Sequence, residues 1–128
     1  MDSVIERLSH KLGLPPSDPS TQDWAIELSE AFKTPEHLEH YVSAYTELPL
    51  MEVERELLMD LILATSDDLI GTESGLSAPL WGRVEGLLTT HWRLHAAQVD
   101  YWAVLDESYE DGFNLTPRIR VLRARLVT

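Results

Sequence analysis

The segment from Pro79 to Glu107 constrains the fold more strongly than any other part of the chain. Projected at 100° per residue, its apolar side chains and two histidines fall within one arc, which is typical of a helix with one buried face. The residues of this arc are Leu80, Trp81, Val84, Leu87, Leu88, His91, His95, Val99 and Trp102. No proline follows Pro79 in the segment, so the pattern predicts one uninterrupted helix over about residues 79–107, roughly 43 Å long at 1.5 Å per residue. The rest of the chain would have to pack around this helix.

Proline and capping residues divide the remaining sequence into further helices. Thr34 precedes Pro35, which supplies a helix cap followed by a proline at the first helical position, and the same pair recurs at Thr116. Within the segment of about residues 50–66, the run from Leu57 to Ala64 is apolar on nearly every side, which predicts a helix that its neighbours cover. The other segments with helical periodicity are residues 4–12, 24–32 and 35–48.

Together these segments predict an all-α fold, a single-domain bundle of about six helices that covers residues 1–128. In this bundle the long helix of about residues 79–107 packs against the buried helix of about residues 50–66. The sequence of the C-terminal segment is compatible with either a helix or a strand. Ile119, Leu122 and Leu126 follow helical spacing, whereas the residues from Arg118 to Val121 alternate as a strand would.

The composition excludes several classes of function. The net charge of −12 argues against nucleic acid as a partner, because an acidic protein repels the phosphate backbone. There is no cysteine, which removes disulfides, thiolate chemistry and cysteine-bound zinc. No apolar segment is long enough to span a bilayer, and Asp2 and Glu6 lie where a signal peptide would carry positive charge. We therefore expect a soluble cytoplasmic protein without a cofactor and without membrane contact.

His91 and His95 are the sharpest chemical feature of the sequence. They are four residues apart, so a helix places their rings one turn apart on one face, as helices do when they present two metal ligands. No HExxH or Glu-x-x-His motif accompanies them. One interpretation is a metal site; the other is that both are buried, neutral and hydrogen-bonded, since they lie in the middle of the apolar arc.

Glu52, Glu56 and Asp60 form a line of carboxylates along one helix, called the acidic strip below. Like charges four residues apart destabilise a helix by about 0.2–0.5 kcal/mol per pair, so we expect an interaction that compensates for the repulsion within the strip. It predicts either a docking site for a basic protein or internal neutralisation by the C-terminal segment. Residues 1–117 carry 22 acidic and 6 basic residues, whereas residues 118–128 carry four arginines and no acid.

These features favour a binding protein over an enzyme, because no nucleophile motif and no phosphate-binding loop is present. In size, helicity and charge the chain resembles bacterial immunity proteins and antitoxins. The resemblance implies an inhibitor that covers the basic active site of its partner. The alternatives are a metal-dependent enzyme or metal sensor that uses His91 and His95, and a helical subunit that supports an assembly. The oligomeric state stays open.

Overall fold

A computed structural model of the chain describes residues 4–14, 24–28, 30–73, 75–107 and 112–126. Within these ranges every regular element is helical, which confirms the all-α class. The elements are α1 (Val4–Leu12), α2 (Trp24–Glu27), a 3-10 turn (Glu30–Phe32), α3 (Pro35–Glu47), α4 (Glu52–Ile70), α5 (Ala78–Thr90), α6 (Trp92–Ala103) and α7 (Thr116–Leu126). The chain divides into two compact units, Met1–Thr65 and Ser66–Thr128, and the boundary falls inside α4.

The predicted buried helix is present as α4 and continues to Ile70. Leu58, Met59 and the run Leu61 to Leu63 have no exposed surface at all. Burying a leucine, isoleucine or methionine side chain contributes about 1.5–3 kcal/mol relative to leaving it in water, so α4 supplies a large part of the stability. The all-round apolar pattern was therefore a reliable sign of a covered helix.

The single long helix predicted over residues 79–107 is wrong. The chain forms α5 and α6 instead, with His91 between them at φ −113° and ψ 34°, and α6 ends at Ala103. The N–H of His91 still donates to the carbonyl of Leu87, at 3.0 Å, and its own carbonyl accepts from the N–H of His95, at 3.2 Å. The break follows Thr89 and Thr90, and threonine and histidine are poor helix formers. The projection at 100° per residue does not reveal this break, because it shows where apolar side chains lie and not how readily each residue forms a helix.

The predicted helix over residues 24–32 is also shorter than expected. It consists of α2, which has four residues, and the 3-10 turn at Glu30–Phe32. Such tight turns are common where a helix ends. The buried hydroxyl of Tyr41 donates to the carbonyl of Phe32 at 2.6 Å, and burial raises the pKa of Tyr41 to about 12. This tertiary hydrogen bond gives the carbonyl of Phe32 a partner. The carbonyl has no helical partner because no further helical turn follows Phe32.

The C-terminal end of α6 is held by a side chain from α7. Val104 adopts a left-handed conformation with φ 45° and ψ 58°, which is rare for a β-branched residue. Arg120 donates from Nε to the carbonyl of Ala103 at 2.6 Å and from Nη2 to the carbonyls of Val104 and, at 2.6 Å, of Glu107. The guanidinium thereby satisfies carbonyls that the end of a helix leaves without partners.

At the start of α4, the side chain of Glu54 provides a hydrogen-bond partner for a backbone N–H group. Its side chain has almost no exposed surface, and Oε1 accepts from the N–H of Met51 at 3.0 Å, as in one half of a capping box. Lys11 lies 2.9 Å from Oε2 and also donates to the carbonyl of Pro49 at 3.2 Å. Burial by itself raises the pKa of Glu54, but the hydrogen bond from Met51 and the charges of Lys11 and Arg7 outweigh burial and lower the pKa. The contacts of Lys11 with Glu54 and Pro49 therefore connect α1 to the start of α4.

We predict that Glu54→Gln destabilises the chain by about 3 kcal/mol at pH 7, the low end for a broken buried ion pair, because Lys11 keeps contact with water. Since the folded pKa lies below the unfolded value of 4.5, this contribution is present above pH 4.5 and is lost as the pH falls through the folded pKa. Urea unfolding at pH 7 and at pH 3 should therefore show a smaller difference between the two proteins at the lower pH. Glu36→Gln, which removes an exposed acid from the first turn of α3, is the matched control. Equal effects of the two substitutions would contradict the assignment.

We also predict that Arg120→Ala costs about 2–3 kcal/mol, because it leaves helix-end carbonyls without a charged donor. Arg120→Lys should restore a minor part of this loss, since an ammonium lacks the planar fork that spans several carbonyls. Arg123→Ala serves as the control: its partner Asp100 lies 2.7 Å away but is 55% exposed, so the loss should stay below about 1 kcal/mol. Chemical denaturation of the three variants measures the differences. A lysine variant as stable as the parent would show that charge alone is needed.

Candidate functional site

The two histidines of the predicted metal site differ in burial. Their ring centroids lie 6.5 Å apart, with the ring planes at 74°. His95 has no exposed surface, as expected, whereas His91 is partly exposed at the junction of α5 and α6. The Nδ1 atom of His95 lies 2.6 Å from Oε1 of Gln98, one turn further along α6. An amide oxygen accepts, so Nδ1 of His95 donates in this contact when it carries the proton.

Gln98 was missed by the sequence reasoning, although its spacing of three residues from His95 puts both on one helix face. Within the described ranges, no group of three or more histidine, aspartate or glutamate side chains is placed to hold a metal ion. A structural zinc site takes four ligands and a catalytic one three. Metal binding by His91 and His95 thus stays a hypothesis that would need ligands from elsewhere.

The acidic strip lies on α4 in the unit Met1–Thr65. Glu52 and Glu56 are exposed, while Asp60 is half-buried. Glu56 and Asp60 each take part in a further interaction within the chain. Arg55, the nearest basic residue in sequence, lies over the ring of Tyr45 at 5.6 Å. The exposed part of the strip is therefore its N-terminal half.

Two apolar residues beside the strip were missed by the sequence reasoning. Met51 is 59% exposed and Val53 is 40% exposed, although both are large hydrophobic side chains. They flank Glu52 in sequence, and Val53 lies one helical turn before Glu56, so Val53 and Glu56 share one face of α4. The signal in the sequence was an apolar residue on either side of Glu52. Exposed apolar side chains beside charges are a common feature of binding surfaces.

The C-terminal arginines belong to a helix, α7, which resolves the choice between helix and strand. Ile119 and Leu122 are buried, as the helical spacing predicts. Arg123 pairs with Asp100 at 2.7 Å, Arg125 pairs with Glu85 at 2.6 Å, and Arg118 lies over the ring of Trp81 at 5.8 Å. Each of these contacts is formed inside the unit Ser66–Thr128. The C-terminal helix therefore packs on its own chain, and internal neutralisation of the acidic strip stays a prediction.

Among the helices of the described residues, none is both long enough and apolar enough to cross a bilayer. No family model, no curated protein and no solved structure matches this chain.

The difference in burial between the histidines leads to a prediction. His95→Ala should lower the free energy of unfolding by about 1–3 kcal/mol, because it removes a fully buried side chain together with its hydrogen bond to Gln98. His91→Ala changes a partly exposed residue and should cost clearly less, which makes it the matched control. Urea denaturation of both variants measures the difference. Two variants as stable as the parent would contradict the assigned burial of His95. A stoichiometric metal in the purified parent, lost when both are replaced, would support the metal hypothesis.

Proposed function

We propose that this chain is a small acidic helical module that binds a basic protein partner through the N-terminal part of α4. The observation that carries the proposal is the surface on which exposed Met51 and Val53 lie beside exposed Glu52 and Glu56. Protein interfaces commonly combine an apolar centre with a polar rim. The apolar side chains would supply contact area, and the carboxylates would select a basic partner.

The charge of the whole chain supports the same partner. A net charge of −12 on 128 residues creates a negative potential that attracts a basic protein over distances longer than a contact. Such steering acts mainly on the association rate and weakens as salt is added. The acidic strip adds a local concentration of charge at the place where the apolar side chains are exposed.

The more specific form of the proposal is an inhibitor of the immunity or antitoxin kind, acting in a bacterial cytoplasm on a partner with a basic active site. A rigid helix supports this role, because binding then requires little ordering of the chain. α4 is anchored at its start by Lys11 and Glu54 and is buried along its middle. An exposed surface on so firmly held a helix is suited to tight association.

The test is a charge reversal with a matched control. The partner is first identified by its co-elution with the chain from the native host. The variant Glu52→Lys, Glu56→Lys, Asp60→Lys is then compared with Glu36→Lys, Glu39→Lys, Glu47→Lys, which reverses three exposed acids on α3. Both variants change the net charge by the same amount, so only the position differs. We expect the α4 variant to associate at least about tenfold more slowly and with a flatter salt dependence, while the α3 variant keeps most of the parental rate.

Thermal melting separates this proposal from internal neutralisation of the strip. If the strip serves a partner, its reversal leaves the melting temperature nearly unchanged, because three lysines repel one another much as three carboxylates do and are attracted by the acidic chain around them. A clear drop in melting temperature with unchanged association would mean that the strip is part of the internal electrostatics. Equal slowing by both variants would show that net charge alone steers the partner and that the start of α4 is not the site.

A further inference from the structure

A second exposed apolar surface lies in the unit Ser66–Thr128, where α6 ends. It is a depression of about 540 Å³. Its lining residues are Asp100, Tyr101, Val104, Leu105, Asp106 and Phe113. Tyr101 is 55% exposed and Leu105 is 53% exposed, which is unusual for side chains of this size.

The depression is built on firmly held groups. The ring of Phe113 packs 4.5 Å from the ring of buried Trp102 and 5.6 Å from the ring of Tyr101. The turn that follows α6 passes through the left-handed Val104, whose carbonyl Arg120 binds. Strained backbone persists where the surroundings fix it, and it is frequent at binding sites. Arg120 therefore acts as the support of the turn that carries Leu105 and Asp106.

The chemistry of the lining points to a cation with an apolar stem. An arginine side chain stacks on tyrosine rings and forms strong hydrogen bonds to carboxylates. Its methylene groups pack on apolar surface while its charged end stays in water. This structure already contains two such stacks, Arg55 over Tyr45 at 5.6 Å and Arg118 over Trp81 at 5.8 Å.

We infer that this depression binds an arginine side chain of a basic protein partner, with the guanidinium between the ring of Tyr101 and the carboxylate of Asp106. Asp100 already pairs with Arg123, at 2.7 Å, so Asp106 is the carboxylate assigned to the ligand. Among the lining residues that the structure describes, none is a basic side chain that would repel the cation. The choice of a basic partner rests on the proposed function, whereas the site itself is separate from the acidic strip. A second copy of the chain is the weaker occupant, because two chains of charge −12 repel each other.

The experiment is a titration of the full chain, followed by NMR, with a short blocked peptide that holds two arginines between glycines. A peptide with citrulline in place of arginine keeps the shape and removes the charge. We expect the arginine peptide to shift the signals of Tyr101, Leu105 and Phe113, and the citrulline peptide to bind more weakly. Tyr101→Ser should raise the dissociation constant roughly two- to fivefold, the size of an exposed cation–π contact. Asp106→Asn, an exposed position where the fold is not at risk, should raise it about twofold.

Val121→Ser is the matched control, since Val121 is 58% exposed and does not line the depression. It should bind the arginine peptide as the parent does. No shifts at the lining residues, or equal binding of the citrulline peptide, would overturn the inference. Shifts that depend on protein concentration without peptide, and disappear in Tyr101→Ser, would assign the surface to a second copy instead. The reversal of the α4 strip should leave the peptide titration unchanged, so a failure here is distinguishable from a failure of the proposed function.

Discussion

In helices of 9 to 13 residues, such as α1, α3 and α5 to α7, the first four N–H groups and the last four carbonyls make up much of the backbone. These groups lack partners inside the helix, so the fold depends on side chains that reach them. The hydroxyl of Thr116 donates to the carbonyl of Trp102 at 2.8 Å and accepts from the N–H of Phe113 at 2.9 Å. It thereby joins the end of α6 to the start of α7, and Arg120 continues the same connection one turn later. In the other unit, Glu54 and Lys11 connect α1 to the start of α4.

Two groups of acidic residues have different physical roles. Glu54 is buried and paired with Lys11, and Asp100 and Glu85 are paired with arginines of α7. These acids hold elements together. Glu52 and Asp106, by contrast, are exposed beside exposed apolar side chains. The second group is the one from which a binding function is argued, because charge next to accessible apolar area is useful mainly to a partner.

Both proposed surfaces combine exposed apolar side chains with an exposed carboxylate, although each surface belongs to a different unit. One places Met51 and Val53 beside Glu52, and the other places Tyr101 and Leu105 beside Asp106. Both are carried by helices or turns that buried contacts hold in place, so little ordering would accompany binding. A basic protein is the partner whose chemistry fits both proposed surfaces.

The sequence by itself determined the helical class, the burial of α4 and the cap of α3 at Thr34, because periodicity and capping depend on residues a few positions apart. It also located the acidic strip and the buried face that includes His95. Only the tertiary structure decided that the predicted long helix breaks at His91 and ends before Val104, and that Glu54, not Glu52, is the buried acid. The end of α6 and the burial of Glu54 depend on distant partners: Lys11 is 43 residues from Glu54, and Arg120 is 16 residues from Val104. A local pattern contains no information about which distant side chain will satisfy a charge or a carbonyl.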